Sequence, residues 1–561
     1  MFTLKTLGVV SFSSALCIAG LSSLPQHALS EERASTCSST PENSVEIKQK
    51  RGNKADYAFA KKATIQHITI ENKGIFDLNN PRENNALYRL ANRLQTQTRE
   101  WVIRNQLLFK EGDRFNLKKA KESMRILRDR EYILEINMFI ENACDGQIDI
   151  HIVVQDAWVI EPKLSYGRQG GEESSGFGLR NGNFLGTGND IAIAYEKEYD
   201  RTRMSYRFHT DQFLRKQLEL DLYHAQLSDG NEQNVGLHKP FYSLNTLWSY
   251  GASTSKTITT YTTRFNDEKI NEFKQLQNYD IAYIGRRISL NDERAYRLTF
   301  GVSSEKDNFK TTEHTTQLPE YSQAQYTWIT LERTTNIYEQ YSNLNYIARK
   351  QDIEIGTNYS LSFGVGQDED QNDLQRLKAR FNRVVSNSDS HLFRMGIGTD
   401  LTHVTGEEAW QKSTVGIDGQ YYYFINGENR WFLNLQYDEG KNLPEYLQFT
   451  LGETDGMRGY PIAYQRGDKR YIANFERRFY SKAHWFNLIR FGAVAFVDVG
   501  HAWGSEDYQD QSHLASAGFG LRFHSSKTGT PLVMHLNFSA PLVDNENLDN
   551  FLISFSMENR F

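Results

Sequence analysis

Beyond its first 30 residues the 561-residue chain contains no run of 18 or more apolar residues. That excludes a transmembrane helix, which needs about 20 such residues in succession. It leaves a transmembrane β-barrel open, because a crossing strand needs apolar residues only at alternate positions. A formal net charge of −6 gives no reason to invoke nucleic acid. Catalytic signatures are also missing: there is no G-x-S-x-G elbow, no H-E-x-x-H pair and no Walker A loop. The acidic run Asp368–Asp373 lacks the glycine at the sixth and the glutamate at the twelfth position of a calcium loop, and reads as a solvated loop. The 14 histidines are scattered, and His403 near Glu407 and Glu408 reads as loop decoration. No enzyme, cofactor or metal is expected.

Cysteine is scarce, with Cys17, Cys37 and Cys144 alone. Cys17 falls in the largely apolar or small run Leu7–Leu24 that follows Lys5, and Ser14-Ala15-Leu16 makes a poor lipobox before it. Ala28-Leu29-Ser30 fits a small-x-small cleavage site, so residues 1–30 are expected to be a secretory signal. Cys37 and Cys144 then remain in the exported chain. They can pair, clipping the leader to the next domain, or stand as unrelated thiols. Residues 31–63 are polar and charged and are expected to form a flexible leader.

Residues 64–155 read as a compact α+β unit. Thr64–Glu71 is β-rich, with Ile65, Ile68 and Ile70. Pro81 and Arg82 open a helical stretch in which Leu87, Leu90, Ala91 and Leu94 recur at helical spacing. Thr98 is positioned to cap a further helical segment carrying Val102, Ile103 and Leu107. After the turn Glu111-Gly112-Asp113, Asn116 can cap a helix with Leu117, Ala120, Met124 and Leu127 on one stripe. The strands Tyr132–Glu141 and Gln147–Gln155 close the unit.

From residue 157 onward the pattern is period-two alternation, as in Ile191/Ile193/Tyr195, Leu298/Phe300/Val302, Leu361/Phe363/Val365 and Trp431/Leu433/Leu435. Intervening residues are mostly polar or small, as lumen-facing positions require. Turns are expected at Asn181-Gly182-Asn183 and Asn426-Gly427-Glu428, and a long charged loop at Arg264–Gln277. Aromatic residues reach 13%, with 30 Tyr and 33 Phe, enough for interfacial girdles. Residues 157–561, at about 25 residues per strand and connection, suit about 16 strands. The expected fold class is mainly β: a transmembrane antiparallel β-barrel behind an α+β domain.

One loop within this region stands out. In Gly452–Pro461 three glycines permit positive φ and the proline fixes the exit, so the loop is shaped. Its Arg458, followed by Gly459 and Tyr460, carries a permanent charge and needs an anionic partner if the loop tip is buried. Downstream, Tyr471, Ala473, Phe475 and Phe479 share one parity and leave Glu476 on the other. Likewise Phe491, Ala493, Ala495 and Val497 leave Asp498 on the opposite face. If both strands turn their apolar face to lipid, Glu476 and Asp498 point into one interior.

These motifs resemble the BamA/TamA surface-antigen superfamily of outer-membrane barrels. In that family a (V/I)RG(F/Y) loop folds back into the barrel and its arginine meets acids on inner-wall strands. MRGY stands here at Met457–Tyr460, with methionine at the usually β-branched position. The acidic strand resembles NFERRF at Asn474–Phe479, and the F-x-D-x-G strand FVDVG at Phe496–Gly500. The alternation of Phe551, Ile553, Phe555, Met557 and Phe561 resembles the terminal β-signal by which such barrels are recognised for insertion. The order β-α-α-β-β and the segment Val102–Ile133 resemble a single POTRA domain, the periplasmic polypeptide-binding module of the superfamily. The resemblance implies location in a bacterial outer membrane, the POTRA domain in the periplasm, and outer-membrane lipid around the barrel. It implies assistance to the insertion, assembly or translocation of polypeptides, or of lipids. A client polypeptide or periplasmic partner would bind through the POTRA domain, which can equally serve as a docking collar. A passive pore or surface receptor with a POTRA collar is the competing class.

Overall fold

The computed structural model describes residues 45–47 and 60–558, apart from 61, 77, 82, 145, 170–171, 267, 292, 345, 388–389, 407–409, 427–428, 505–511, 530–532 and 544–547. Residues 1–30, expected to be a secretory signal, Cys37, the Cys144 side chain and Phe561 lie outside the described residues. Pairing of Cys37 with Cys144 is therefore a chemical question. Mass spectrometry of the exported protein, alkylated without reductant, is expected to find both thiols unlabelled, and full labelling of both would exclude a bridge.

The first described elements form a four-stranded sheet with helices. They are β1 (Val45–Glu46), β2 (Thr64–Asn72), α1 (Ala86–Leu94), α2 (Glu100–Arg104), α3 (Leu117–Arg128), β3 (Ile133–Cys144) and β4 (Gln147–Asp156), in the sheet order β1-β3-β4-β2. On β4 the residues Ile148, Ile150, Ile152 and Val154 alternate into a core with Ile65, Val102, Ile103, Met124 and Leu127. Asn116 caps α3, its side chain accepting from the Lys118 and Lys119 amides. Thr98 caps no helix. The N-cap of α2 is Arg99, and Thr98 is spent on Asp156, to which its amide and hydroxyl both donate at 2.8 Å. The polar leader also contributes structure: Val45 registers with Ile140 and Glu46 with Phe139, and Ile47 is buried in the core. An apolar pair at alternate positions is enough to add a short strand to an open sheet edge.

From β5 (Ile160–Gln169) to the strand Leu552–Glu558, twenty strands among the described residues form one antiparallel sheet that curls into a barrel. The count of about 16 is corrected because the connections are shorter than assumed. Asn231–Lys239, for example, follows Glu219–Leu227 after three residues. Asn181-Gly182-Asn183 lies inside the strand Glu172–Phe184. Arg264–Gln277 is mostly paired strand as well, since Trp248–Phe265 and Glu268–Leu290 run to 18 and 23 residues. About 9–11 residues suffice to cross the hydrocarbon. Beyond it water receives both faces, alternation lapses, and a paired strand reads like a loop.

Burial is inverted relative to a water-soluble protein. The apolar parity is exposed, as at Ile193, Phe300, Phe363, Leu435, Phe475 and Val497, while Arg297, Asn474, Glu476, Arg478 and Asp498 are buried. Only an apolar surround makes that arrangement favourable. Among the described residues the ladder returns on itself through one registered pair, Phe555 opposite Arg168, whereas the last strand holds its other neighbour over seven.

The N-terminal unit is fastened to one rim of the barrel, on turns that alternate along the chain. The Arg99 amide donates to the Gly186 carbonyl at 2.9 Å, and the Trp158 amide to the Lys527 carbonyl at 2.7 Å. The Leu244 amide donates to Glu122 at 2.7 Å, and Arg130 pairs with Asp211. At the same rim the hairpin Tyr338–Ser342/Lys350–Glu354 tucks inside the wall. Its Leu344 packs on Leu392, Tyr422 and Phe432, and its Ile347 on Tyr480, Val494, Phe496 and Val533. Asp352 of this hairpin pairs with Arg128 of α3, and the Arg125 guanidinium covers the Tyr338 ring at 4.5 Å.

Candidate functional site

The Gly452–Pro461 loop joins two strands of the wall and folds into the lumen. Gly456 and Gly459 take φ of +103° and +90°, a region that strains a residue with a β-carbon. Gly452 is extended and is required by space instead: a β-carbon there would stand 2.2 Å from the Pro461 carbonyl oxygen. Leu451, Met457 and Tyr460 are fully buried and pack with Tyr464, Ile472, Ala502 and Leu514. The Tyr460 hydroxyl donates to the Ala515 carbonyl at 2.7 Å. This packing leaves the Arg458 side chain directed across the interior.

Arg458 meets both acids of the adjoining wall. Its Nε and Nη2 donate to the two oxygens of Asp498, each at 2.7 Å, and its Nη1 lies 2.8 Å from Glu476 Oε1. The guanidinium also lies flat on Phe496, 3.6 Å from the ring centre. Asp498 is fully buried and Arg458 and Glu476 nearly so. A planar fork suits this site because it satisfies one carboxylate through two bonds while keeping a third nitrogen for the other. The strands holding the acids are registered so that Asn474 faces Asp498 and Glu476 faces Phe496. Alternation then delivers all four side chains to the lumen.

Several partners escape motif reading. Asn474 donates at 2.8 Å both to Asp498 and to the Gly456 carbonyl, tying wall to loop. Arg478 donates to the second oxygen of Glu476 at 2.7 Å. Inside the loop the buried Glu453 accepts from the Gly459 amide at 3.0 Å. Lumen parity identifies Asn474 and Arg478 as candidates, since they share the face of Glu476, but no local signal singles out Glu453. Several of these groups line a polar cavity of ≈ 1020 Å³ that extends to Asp352 of the inward hairpin. Phe496 belongs to both features, with Arg458 on its ring and Ile347 of the hairpin in its buried cluster.

Of the terminal β-signal residues, Phe551 and Ile553 are exposed on the outer wall, and Phe555 is registered with Arg168 across the seam. Met557 falls within the last strand. Arg458, Gly459, Tyr460, Glu476 and Asp498 are thus brought together, while the terminal residues form a separate feature at the seam. No group of three or more metal-binding side chains occurs among the described residues.

No curated protein matches this chain. Solved structures to which it is similar include CdiB from Acinetobacter baumannii, at 12% identity over 89% of this chain and 74% of that one, with a TM-score of 0.42. CdiB from Escherichia coli is 11% identical over 89% of this chain and 76% of that one, with a TM-score of 0.44. BamA from Haemophilus ducreyi lacking POTRA domains 1–3 is 14% identical over 92% and 89%, with a TM-score of 0.39. Likenesses this remote carry no argument about activity. The sequence match is decisive: the Omp85 superfamily domain covers residues 183–561, from the second barrel strand onward, and the chain belongs to the Omp85 superfamily of bacterial outer-membrane β-barrels.

Proposed function

We propose that this chain acts in the bacterial outer membrane as a barrel of the BamA/TamA type, without enzymatic activity, helping polypeptides to insert, assemble or cross. The N-terminal unit is a POTRA domain facing the periplasm. The seam carries this reading: among the described residues one pair registers between first and last strands, beside a ladder of seven or more elsewhere, and this is the weakest line in the described wall. A client strand takes main-chain hydrogen bonds at such an edge. The Arg458 loop acts as a latch, holding the lumen ordered through its bonds to Asp498 and Glu476. The inward hairpin pairs with α3 through Asp352 and shares a buried cluster with Phe496, on which Arg458 lies, so it stands between the periplasmic unit and the latch.

A passive pore is the competing reading, and the inward hairpin and loop weigh against it because both occupy the lumen. Depletion of the protein followed by proteomics of the outer membrane is expected to show loss of specific membrane proteins. Loss of small-solute uptake with an unchanged outer-membrane proteome would favour the pore.

A further inference from the structure

Helix α1 has an apolar stripe that the protein leaves uncovered. Leu87, Leu90 and Leu94 are 65%, 51% and 61% exposed, and their i, i+3, i+7 spacing puts them on one flank. Arg89 and Arg93, also exposed, occupy the other flank. Between the flanks, Tyr88 is buried, stacked on Phe76 at 4.2 Å, and Ala91 and Leu488 pack around this pair. The face that docks α1 on the barrel is therefore separate from the leucine flank.

The place where α1 docks identifies what covers the leucines. The Tyr88 hydroxyl donates to the carbonyl of Phe486, and Glu83, just before the helix, pairs with Lys527 at 3.0 Å. Phe486 belongs to the turn between two barrel strands and is itself 77% exposed, with Trp485 and Ile489 exposed beside it. That turn continues the outer apolar wall of Phe475 and Phe479. The leucine flank thus extends the lipid-facing surface past the ends of the strands. A short helix with leucines on one side and arginines on the other is suited to the boundary of a leaflet, its cations level with lipid phosphates.

We infer that α1 lies in the periplasmic leaflet, with Leu87, Leu90 and Leu94 among the acyl chains, anchoring the N-terminal unit to the membrane as well as to the rim. The inference rests on the reading of the barrel as membrane-spanning. It makes the orientation of the unit a property of lipid contact, and bilayer thickness a means of altering it.

The test uses the full chain with Cys17, Cys37 and Cys144 replaced by serine, folded into phosphatidylcholine vesicles. A nitroxide is attached in turn through Leu87→Cys, Leu90→Cys, Leu94→Cys, Arg89→Cys and Arg93→Cys, with Phe479→Cys as the wall reference. All are exposed positions, and folding is checked by the mobility of the unboiled barrel. Collision with oxygen, which concentrates in lipid, is compared with collision with a water-soluble nickel chelate. The expected result is a severalfold higher oxygen-to-nickel ratio at the three leucine positions than at the two arginine positions, approaching that at Phe479. A lipid-like value at Phe479 with water-like values at the leucines overturns the inference alone and leaves the flank to a protein partner. Water-like values at Phe479 too overturn the membrane-spanning reading and this inference with it.

Discussion

Replacing Arg458 by alanine is expected to release the lumenal loop and to lower the stability of the barrel by about 3–5 kcal/mol, the usual cost of removing one partner from a buried ion pair. Two carboxylates lose the same cation, but unequally. Glu476 keeps Arg478, whereas Asp498 falls back on the single amide of Asn474. Most of the loss therefore resides at Asp498. Arg458→Ala combined with Asp498→Asn is expected to be less damaging than the sum of the two single changes. Arg458→Lys keeps the charge but not the fork, and falls between wild type and alanine. Denaturant unfolding in detergent micelles measures the stability, and protease cleavage within residues 452–467 reports release of the loop. Lys469→Ala serves as the control, because its pair with Glu439 is largely solvated and is expected to contribute little. An Arg458→Ala protein indistinguishable from the Lys469→Ala protein would remove the latch from the account.

Ile150→Asp is expected to abolish the contribution of the N-terminal unit while leaving the barrel folded. Ile150 is fully buried at the centre of the sheet core, and the whole of that core belongs to residues 47–159. An unpaired charge placed there costs several kcal/mol, against a stability of about 5–15 kcal/mol for a typical domain. The barrel strands keep their own ladder, so the unboiled protein should retain its barrel mobility on a denaturing gel. Expressed in a depletion strain, the variant should insert and fail to restore the outer-membrane proteome. Full complementation would move the function to the barrel alone and favour the pore.

The sequence by itself determined the side-chain parity and the shaped loop on which the site is built. Alternation in Tyr471–Phe479 and Arg490–Gly500 placed Glu476 and Asp498 on the face opposite their apolar companions, and the glycines of Gly452–Pro461 marked a shaped loop needing an anion. Side-chain parity and left-handed backbone are local properties, and local chemistry expresses them directly. Where a partner lies far along the chain, tertiary structure decided. Register alone set Asn474 against Asp498, and packing alone gathered Ile347 and Phe496 into one buried cluster. The number of strands depends on connection lengths and on where pairing outlasts the hydrocarbon, as in Arg264–Gln277. The stripe of Leu87, Leu90 and Leu94 was legible as a helical period, but its direction was not. Periodicity records that a face is apolar, and only the docking of Tyr88 on the 486 turn shows that this face looks away from the protein.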